Sequence, residues 1–299
     1  MEAALIQWLR TRLPQNKQVL LGIGDDAAVL QPSAGSNLVV TTDMLMDGVD
    51  FILSEVDPRR VGRKSLAVNL SDLAAMAAKP VAAFISLALP RVGGAALAKE
   101  LYEGLLPLAD EFQCAIAGGD TNSWDGPLVI TVTAIGETTA RGPLVRSGAQ
   151  PGDAILVTGP LGGSLAGHHF DFDPRVQEAL WLHDHFTLHA GTDISDGLSI
   201  DLSHLCLESG VGAIVDEASL PKRTPKLSTA QMLNDGEDFE LILAVPAAEA
   251  ERLINEQPLS SIRLTRVGMF AAGQGMQLRG TDGLLRPLVP AGYQHKLEG

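Results

Sequence analysis

Apolar residues recur along this chain in two rhythms. Short, nearly unbroken runs predict strands over Val19 to Ile23, Leu38 to Thr42, Val81 to Leu89, Cys114 to Ala117, Leu128 to Glu137, Ala154 to Thr158 and Phe239 to Val245. Helical spacing of Leu66, Ala67, Leu70, Leu73, Ala74 and Ala77 predicts a helix between them. It opens at Asp57-Pro58, where Asp can cap and Pro suits the first turn, and closes at Lys79-Pro80. Further helices are expected over Ala95 to Phe112, over Leu198 to Glu208 and after the glycine turn Gly159 to Ser164, with a terminal hairpin over Gly268 to Pro287. Arg141 to Gly152, rich in Gly, Pro and Ser, reads as a linker between two blocks of similar grammar but no residue-level repeat. The pattern predicts an α/β fold of α+β type, mixed sheets flanked by helices, in two domains at 1–140 and 141–299.

Composition narrows the chemistry. The 299 residues are 45% hydrophobic and 19% charged, ordinary for a globular chain, and 36 acidic against 22 basic residues leave a net charge of -14. That balance argues against nucleic acid or an anionic membrane as partner, so anions would have to be handled through cations. Met1 to Arg10 reads as an amphipathic helix with an early acid rather than a secretory signal, and Val81 to Leu89 is too short to span a bilayer. Cys114 and Cys206 are the only cysteines, which excludes a disulfide framework. The cytoplasm is the expected compartment.

Carboxylates follow the strand-like runs with unusual regularity: Gly24-Asp25-Asp26, Thr41-Thr42-Asp43, Gly118-Gly119-Asp120, Asp193-Ile194-Ser195-Asp196-Gly197 and Asp235-Gly236-Glu237-Asp238. Each alone suits a turn or a helix cap. Together they predict convergence on hard divalent cations, because clustered ionised carboxylates beside a core need a counter-ion, and oxygen donors with hydroxyl neighbours suit Mg²⁺. Asp72, between Leu70 and Leu73 in the small-residue helix, needs a partner, a solvated face, or a neighbour such as Arg63 or Lys64. Asp47 and Asp201 are expected on solvated faces or as local caps, and the histidines, among them His168, His169, His183, His185 and His189, in surface or packing roles.

Three familiar motifs fail on inspection. Gly22-Ile23-Gly24-Asp25-Asp26-Ala27 puts two carboxylates where a dinucleotide pyrophosphate would lie. Gly62-Arg63-Lys64-Ser65 lacks the upstream glycine of a phosphate loop, since Asp57 stands there. Asp43 to Ser54 has Leu45 and Ser54 where a calcium loop needs ligands. No Ser-His-Asp set or general base stands out. Phosphoryl transfer fits this inventory, since it rests on positioning and charge neutralisation and needs no base when the acceptor is itself an ionised phosphate. Gly118-Gly119 and Gly162-Gly163 would let the backbone approach a polyphosphate, and Arg146 offers a guanidinium.

The ordered set Gly22-Ile23-Gly24-Asp25-Asp26-Ala27-Ala28, Thr41-Thr42-Asp43, Lys64 to Met76, Gly118-Gly119-Asp120-Thr121, Arg146-Ser147-Gly148, Asp193 to Leu198 and Gly236 to Leu241 resembles the thiamine-monophosphate kinase family, from about Gly22 to Tyr293. The resemblance implies the two-domain aminoimidazole ribonucleotide synthetase-like fold and a homodimer built through the N-terminal domains. It also implies direct in-line transfer of the γ-phosphoryl group of ATP to thiamine monophosphate with several Mg²⁺ ions. By position, Asp26, Thr41, Thr42, Asp43, Asp72, Asp120, Asp193 and Asp196 would hold metal. Tyr102, Gly119, Asp120, Arg146 and Ser195 would contact ATP, and Asp50, Glu237 and Tyr293 the substrate. The N-terminal domain would thus carry metal and ATP binding and dimerisation, and the C-terminal domain would complete the nucleotide and substrate site.

Two positions depart from the family. Gly48-Val49-Asp50-Phe51 has Asp50 where the family has His, and Trp181 to Ala190 lacks a Pro-x-Pro-Arg run. Both bear on the acceptor. The alternatives are another enzyme of the superfamily with a different acceptor, such as selenophosphate synthetase or the hydrogenase-maturation dehydratase, and a noncatalytic ATP- and Mg²⁺-binding regulator.

Overall fold

In a computed structural model, residues 7–9, 12, 16–22 and 27–293 are described. Contacts divide the chain into one unit of 1–73 with 78–142 and another of 74–77 with 143–299.

The first unit is built on a four-stranded sheet in the order β3-β6-β4-β5, where β3 is Leu38–Met46, β4 Ala78–Pro90, β5 Ala115–Trp124 and β6 Val129–Thr138. β6 runs antiparallel to both neighbours, while β4 and β5 are parallel. A parallel pair needs a crossover, and α2 (Gly94–Glu111) supplies it. A short antiparallel ribbon of β1 (Val19–Leu21) and β2 (Val29–Leu30) packs through Val19 and Leu30 on Val81, Ala82 and Ala117. Helix α1 (Pro58–Ala75) buries Val61, Leu66, Leu70 and Leu73 and approaches α2 closely. A Cβ at Gly62 would lie 1.9 Å from the Leu101 carbonyl oxygen, so only glycine fits that contact.

Two sequence boundaries shift. Helix α1 stops at Ala75 instead of running to Pro80, because Ala77 takes a φ of 48° and turns the chain into β4, which takes in both Lys79 and Pro80. Strand β5 does not end at Gly118-Gly119-Asp120 but runs through them, with Asp120 opposite Ser86 of β4.

The second unit carries a seven-stranded sheet in the order β13-β12-β9-β11-β7-β10-β8. Its central strands are β7 (Ala154–Thr158), β10 (Leu241–Val245) and β11 (Leu264–Ala271), with β8 (Ala190–Asp193) at one edge. β9 (Gly212–Asp216) and β12 (Met276–Arg279) pair in parallel. Every residue of β7 and β10 is buried, as continuous apolar runs require. Helix α5 (Leu198–Ser209) lays Leu198, Leu202 and Leu205 on this core. The glycine turn after β7 leads into one 3₁₀ turn, Ser164–Ala166, then the short α3 (His168–Asp171) and α4 (Val176–His185). The terminal hairpin is β12 with β13 (Leu285–Pro287), whereas β11 belongs to the centre of the sheet, beside β7 and β9.

Candidate active site

In the first unit, β3 and α1 bring predicted residues together. The Thr41 hydroxyl donates to the carboxylate of Asp72, so the mid-helix aspartate turns toward the sheet. Strand alternation sets Thr41 and Asp43 on one face of β3 and Thr42 on the other, where its hydroxyl lies 3.0 Å from that of Thr133. Asp120 is exposed, with one oxygen accepting from the Thr121 N–H at 2.9 Å. Gly119, separated from β3 by two strands, packs against Ile85, whose carbonyl oxygen would lie 1.9 Å from an added Cβ. Asp26 lies outside the described residues.

Two neighbours differ from expectation. Tyr102 is 4% exposed on the inner face of α2, and burial raises its phenol pKa, so its ring belongs to the core rather than to a nucleotide contact. Asp50 turns inward on its own loop. Its carboxylate accepts from the Met46 N–H at 2.7 Å, and its carbonyl takes the buried Lys64 ammonium at 3.0 Å. Asp47 is a local cap, accepting from the Leu53 N–H.

The second unit builds a tightly fastened turn. Asp193 ends β8, and the chain passes through Ile194-Ser195-Asp196-Gly197 into α5. One oxygen of Asp201 accepts the backbone N–H groups of Ser195, Asp196 and Gly197 at 3.0, 3.1 and 3.1 Å. On the other side, the carbonyls of Ile194, Ser195 and Asp196 accept the N–H groups of Phe239, Glu237 and Tyr293 at 2.8, 2.7 and 3.1 Å. The predicted Asp193, Ser195, Asp196, Glu237 and Tyr293 are thereby assembled on one backbone frame. Arg146 stands beside them, its Nε donating to the Thr192 hydroxyl at 3.3 Å. Asp201 is not solvated: burial, then the charges of Asp193 and Asp196, push its carboxyl up to about 8 against the pull of the amides.

The segment Asp235 to Glu240 corrects a further expectation. Its acids do not form a shared cation cluster, because the protein's own donors take them. Asp238 pairs with Arg223 at 2.9 Å and accepts from the Gly162 N–H at 2.8 Å. Asp235 accepts from the Gly163 N–H at 2.9 Å, so the amides of Gly162-Gly163 serve this segment rather than a polyphosphate. Glu240 is gripped by Arg175 at 2.6 and 2.7 Å and by the Thr158 hydroxyl at 2.7 Å. These anchors hold Glu237 and Phe239 at φ values of 60° and 50°, which non-glycine residues seldom adopt. Glu237, like Asp235, is half-buried, whereas Asp238 and Glu240 are fully buried.

Histidines take packing and hydrogen-bonding places: His169 against the Ser164 carbonyl, His185 stacked on Trp181, and His189 against Asp153. Among the described residues, no three His, Cys, Asp or Glu side chains are arranged to hold a metal ion, so the expected convergence of carboxylates is not present in assembled form. The donors fit Mg²⁺ in kind: Thr41 and Asp72 meet through hard oxygen atoms, with Asp43 on the same strand face as Thr41.

Residues 24–138 match AIR synthase related protein, N-terminal domain, and residues 167–279 match AIR synthase related protein, C-terminal domain. The fold is thus that of the AIR synthase related proteins. Within that class the chain is 40% identical to the thiamine-monophosphate kinase of Rhodopirellula baltica, with 99% of this chain and 97% of the relative covered. It superimposes on the thiamine-monophosphate kinase of Stenotrophomonas maltophilia K279a with a TM-score of 0.82 at 38% identity, covering 94% and 96% of the two chains. A structure of AaThiL complexed with AMPPCP and TMP matches with a TM-score of 0.76 at 27% identity, covering 99% and 97%. The chain belongs to the thiamine-monophosphate kinase family.

Proposed function

We propose that the chain transfers the γ-phosphoryl group of ATP directly to the phosphate of thiamine monophosphate, giving ADP and thiamine diphosphate. The observation that carries this reading is 40% identity to a thiamine-monophosphate kinase over 99% of the chain. The acceptor phosphate is already ionised near neutral pH, so in-line attack needs positioning and charge neutralisation rather than a general base.

Thr41, Thr42, Asp43, Asp72 and Asp120 in the first unit, with Asp26, and Asp193 and Asp196 in the second would hold Mg²⁺. The ions would supply positive charge to the phosphate oxygens. Arg146, Ser195, Gly119 and Asp120 face the nucleotide, while Glu237, Tyr293 and Asp50 belong to the substrate side. Tyr102 is left out because its ring is buried. The functional division follows 1–140 and 141–299. A homodimer forms through the first unit, in keeping with the outer face of edge strand β3, where Leu38, Val40 and Met44 are 46%, 60% and 58% exposed. The compartment is the cytoplasm, in keeping with two buried free cysteines. No helix among the described residues is long and apolar enough to cross a membrane.

Incubation of the purified protein with ATP, Mg²⁺ and thiamine monophosphate tests the reading. Thiamine diphosphate should appear in step with ADP. ADP without it would point to another acceptor, and neither product would point to a binding protein.

A further inference from the structure

The turn after β8 enters a helix N-terminus, where exposed amides ordinarily suit a phosphate. Here the amides of the turn that leads into the helix are already taken. Three successive N–H groups, from Ser195, Asp196 and Gly197, converge on one oxygen of Asp201, which lies one turn into α5 and is 2% exposed. Because the carbonyls of Ile194, Ser195 and Asp196 are equally engaged, the backbone of the turn is closed to ligands. What the turn can offer is its side chains.

Resting on the phosphoryl-transfer reading above, we propose that Asp201 is a positioning residue of that site. By holding the three amides it fixes the turn that presents Asp193, Ser195 and Asp196, and it closes the turn's own amides to a bare phosphate. The nucleotide then meets oxygen side chains here, which favours its cation-bound form. A misplacement of about 1 Å at such a frame is enough to slow turnover on the order of 100-fold.

The test compares Asp201→Ala, Asp201→Asn and Leu205→Ala. Leu205 is fully buried one turn further along the same helix, so its truncation destabilises α5 while leaving the Asp201 acceptor in place. Asp201→Ala should raise the KM for ATP about 10-fold and lower kcat/KM on the order of 100-fold. Asparagine keeps an acceptor oxygen, so Asp201→Asn should recover to within about 10-fold of the parent. Hydrogen exchange supplies a readout independent of activity: the amides of Ser195, Asp196 and Gly197 should lose protection in Asp201→Ala and keep it in Asp201→Asn and Leu205→Ala. If Asp201→Ala does not fold, Asp201→Glu takes its place, since the longer side chain keeps the carboxyl group and moves the acceptor.

Unchanged ATP kinetics in Asp201→Ala would overturn the proposal, whether or not the amides stay protected. So would equal losses in Leu205→Ala. Failure of the unmodified protein to make thiamine diphosphate would strike instead at the reading of its function.

Discussion

Asp72 in the first unit and Asp238 in the second both lie in apolar surroundings, yet what meets them differs. Asp72 is half-buried on the helix and accepts a hydrogen bond from the Thr41 hydroxyl of the facing strand. Asp238 is buried and meets a guanidinium and a backbone amide, donors that answer both its charge and its lone pairs. Glu240 and Asp201 follow the second pattern, the one with Arg175 and the other with three amides. The difference teaches how to separate acids that hold a ligand from acids that hold the fold. Buried carboxylates tied to arginine and backbone donors mark scaffold, whereas Asp72, half-buried beside a strand hydroxyl, stays within reach of solvent.

The largest test of that division is Asp72→Asn. On the proposed metal-binding role its charge serves the reaction, so turnover should fall on the order of 1000-fold. Thermal stability in the absence of ligand should stay near that of the parent. Steady-state assays beside a melting curve check both halves, and a variant as active as the parent would remove Asp72 from the site.

Arg175→Ala probes the opposite class. It strips the partner from Glu240, whose side chain is 1% exposed, and should destabilise the second unit by about 3–5 kcal/mol in chemical denaturation. Replacing both partners, Arg175→Met with Glu240→Gln, should return most of that loss because no uncompensated charge remains buried. A small effect of the single change would erase the distinction between the two kinds of acid.

Most of the strands, the two long helices and the order of motifs were legible because apolar periodicity and glycine turns report local geometry directly, whereas the short β2, β8 and β9 were not read. Asp235 to Glu240 shows where that legibility ends. Four acids within six residues look alike in sequence, and only the fold tells that Arg223 and Arg175, 15 and 65 positions away, reach Asp238 and Glu240 while Glu237 stays half-buried. Asp201 is one of the local caps expected from sequence, but the number of amides it holds was hidden for a related reason. Its spacing from Ser195 suits a first-turn acid on any helix, and the convergence of three amides depends on the extended turn at Gly197, where φ is 122°. Gly118-Gly119-Asp120 read as a turn because glycines commonly make turns, although the close approach of Ile85 to Gly119 is what needs the missing Cβ.

A pH titration sharpens the comparison further. Burial raises the Asp238 carboxyl from its ordinary 3.8 to about 6, against the Gly162 amide and Arg223, which pull it down. The native state therefore keeps a proton that the unfolded chain has already released at pH 5. From this group, stability should fall as pH rises from about 4 to about 6, by roughly 2–3 kcal/mol, and then level off. Denaturation of the parent and of Asp238→Asn across that window should give a shallower slope in the variant. Equal slopes would mean that Asp238 folds in its charged form at every pH tested.

Asp50→His carries the smallest expected effect and sits where the two classes meet. Asp50 belongs to the first unit, but its carboxylate accepts the Met46 N–H in the manner of the second unit's scaffold acids. Loss of that acceptor should cost about 1 kcal/mol of stability. The same change removes a negative charge from the proposed substrate side and puts there the His that the family resemblance leads one to expect. The KM for thiamine monophosphate should then fall, with kcat nearly unchanged, because the gain lies in binding an anionic ground state that keeps its charge through transfer. A drop in stability with no change in KM would make Asp50 a loop cap alone and move the phosphate of the acceptor away from this turn.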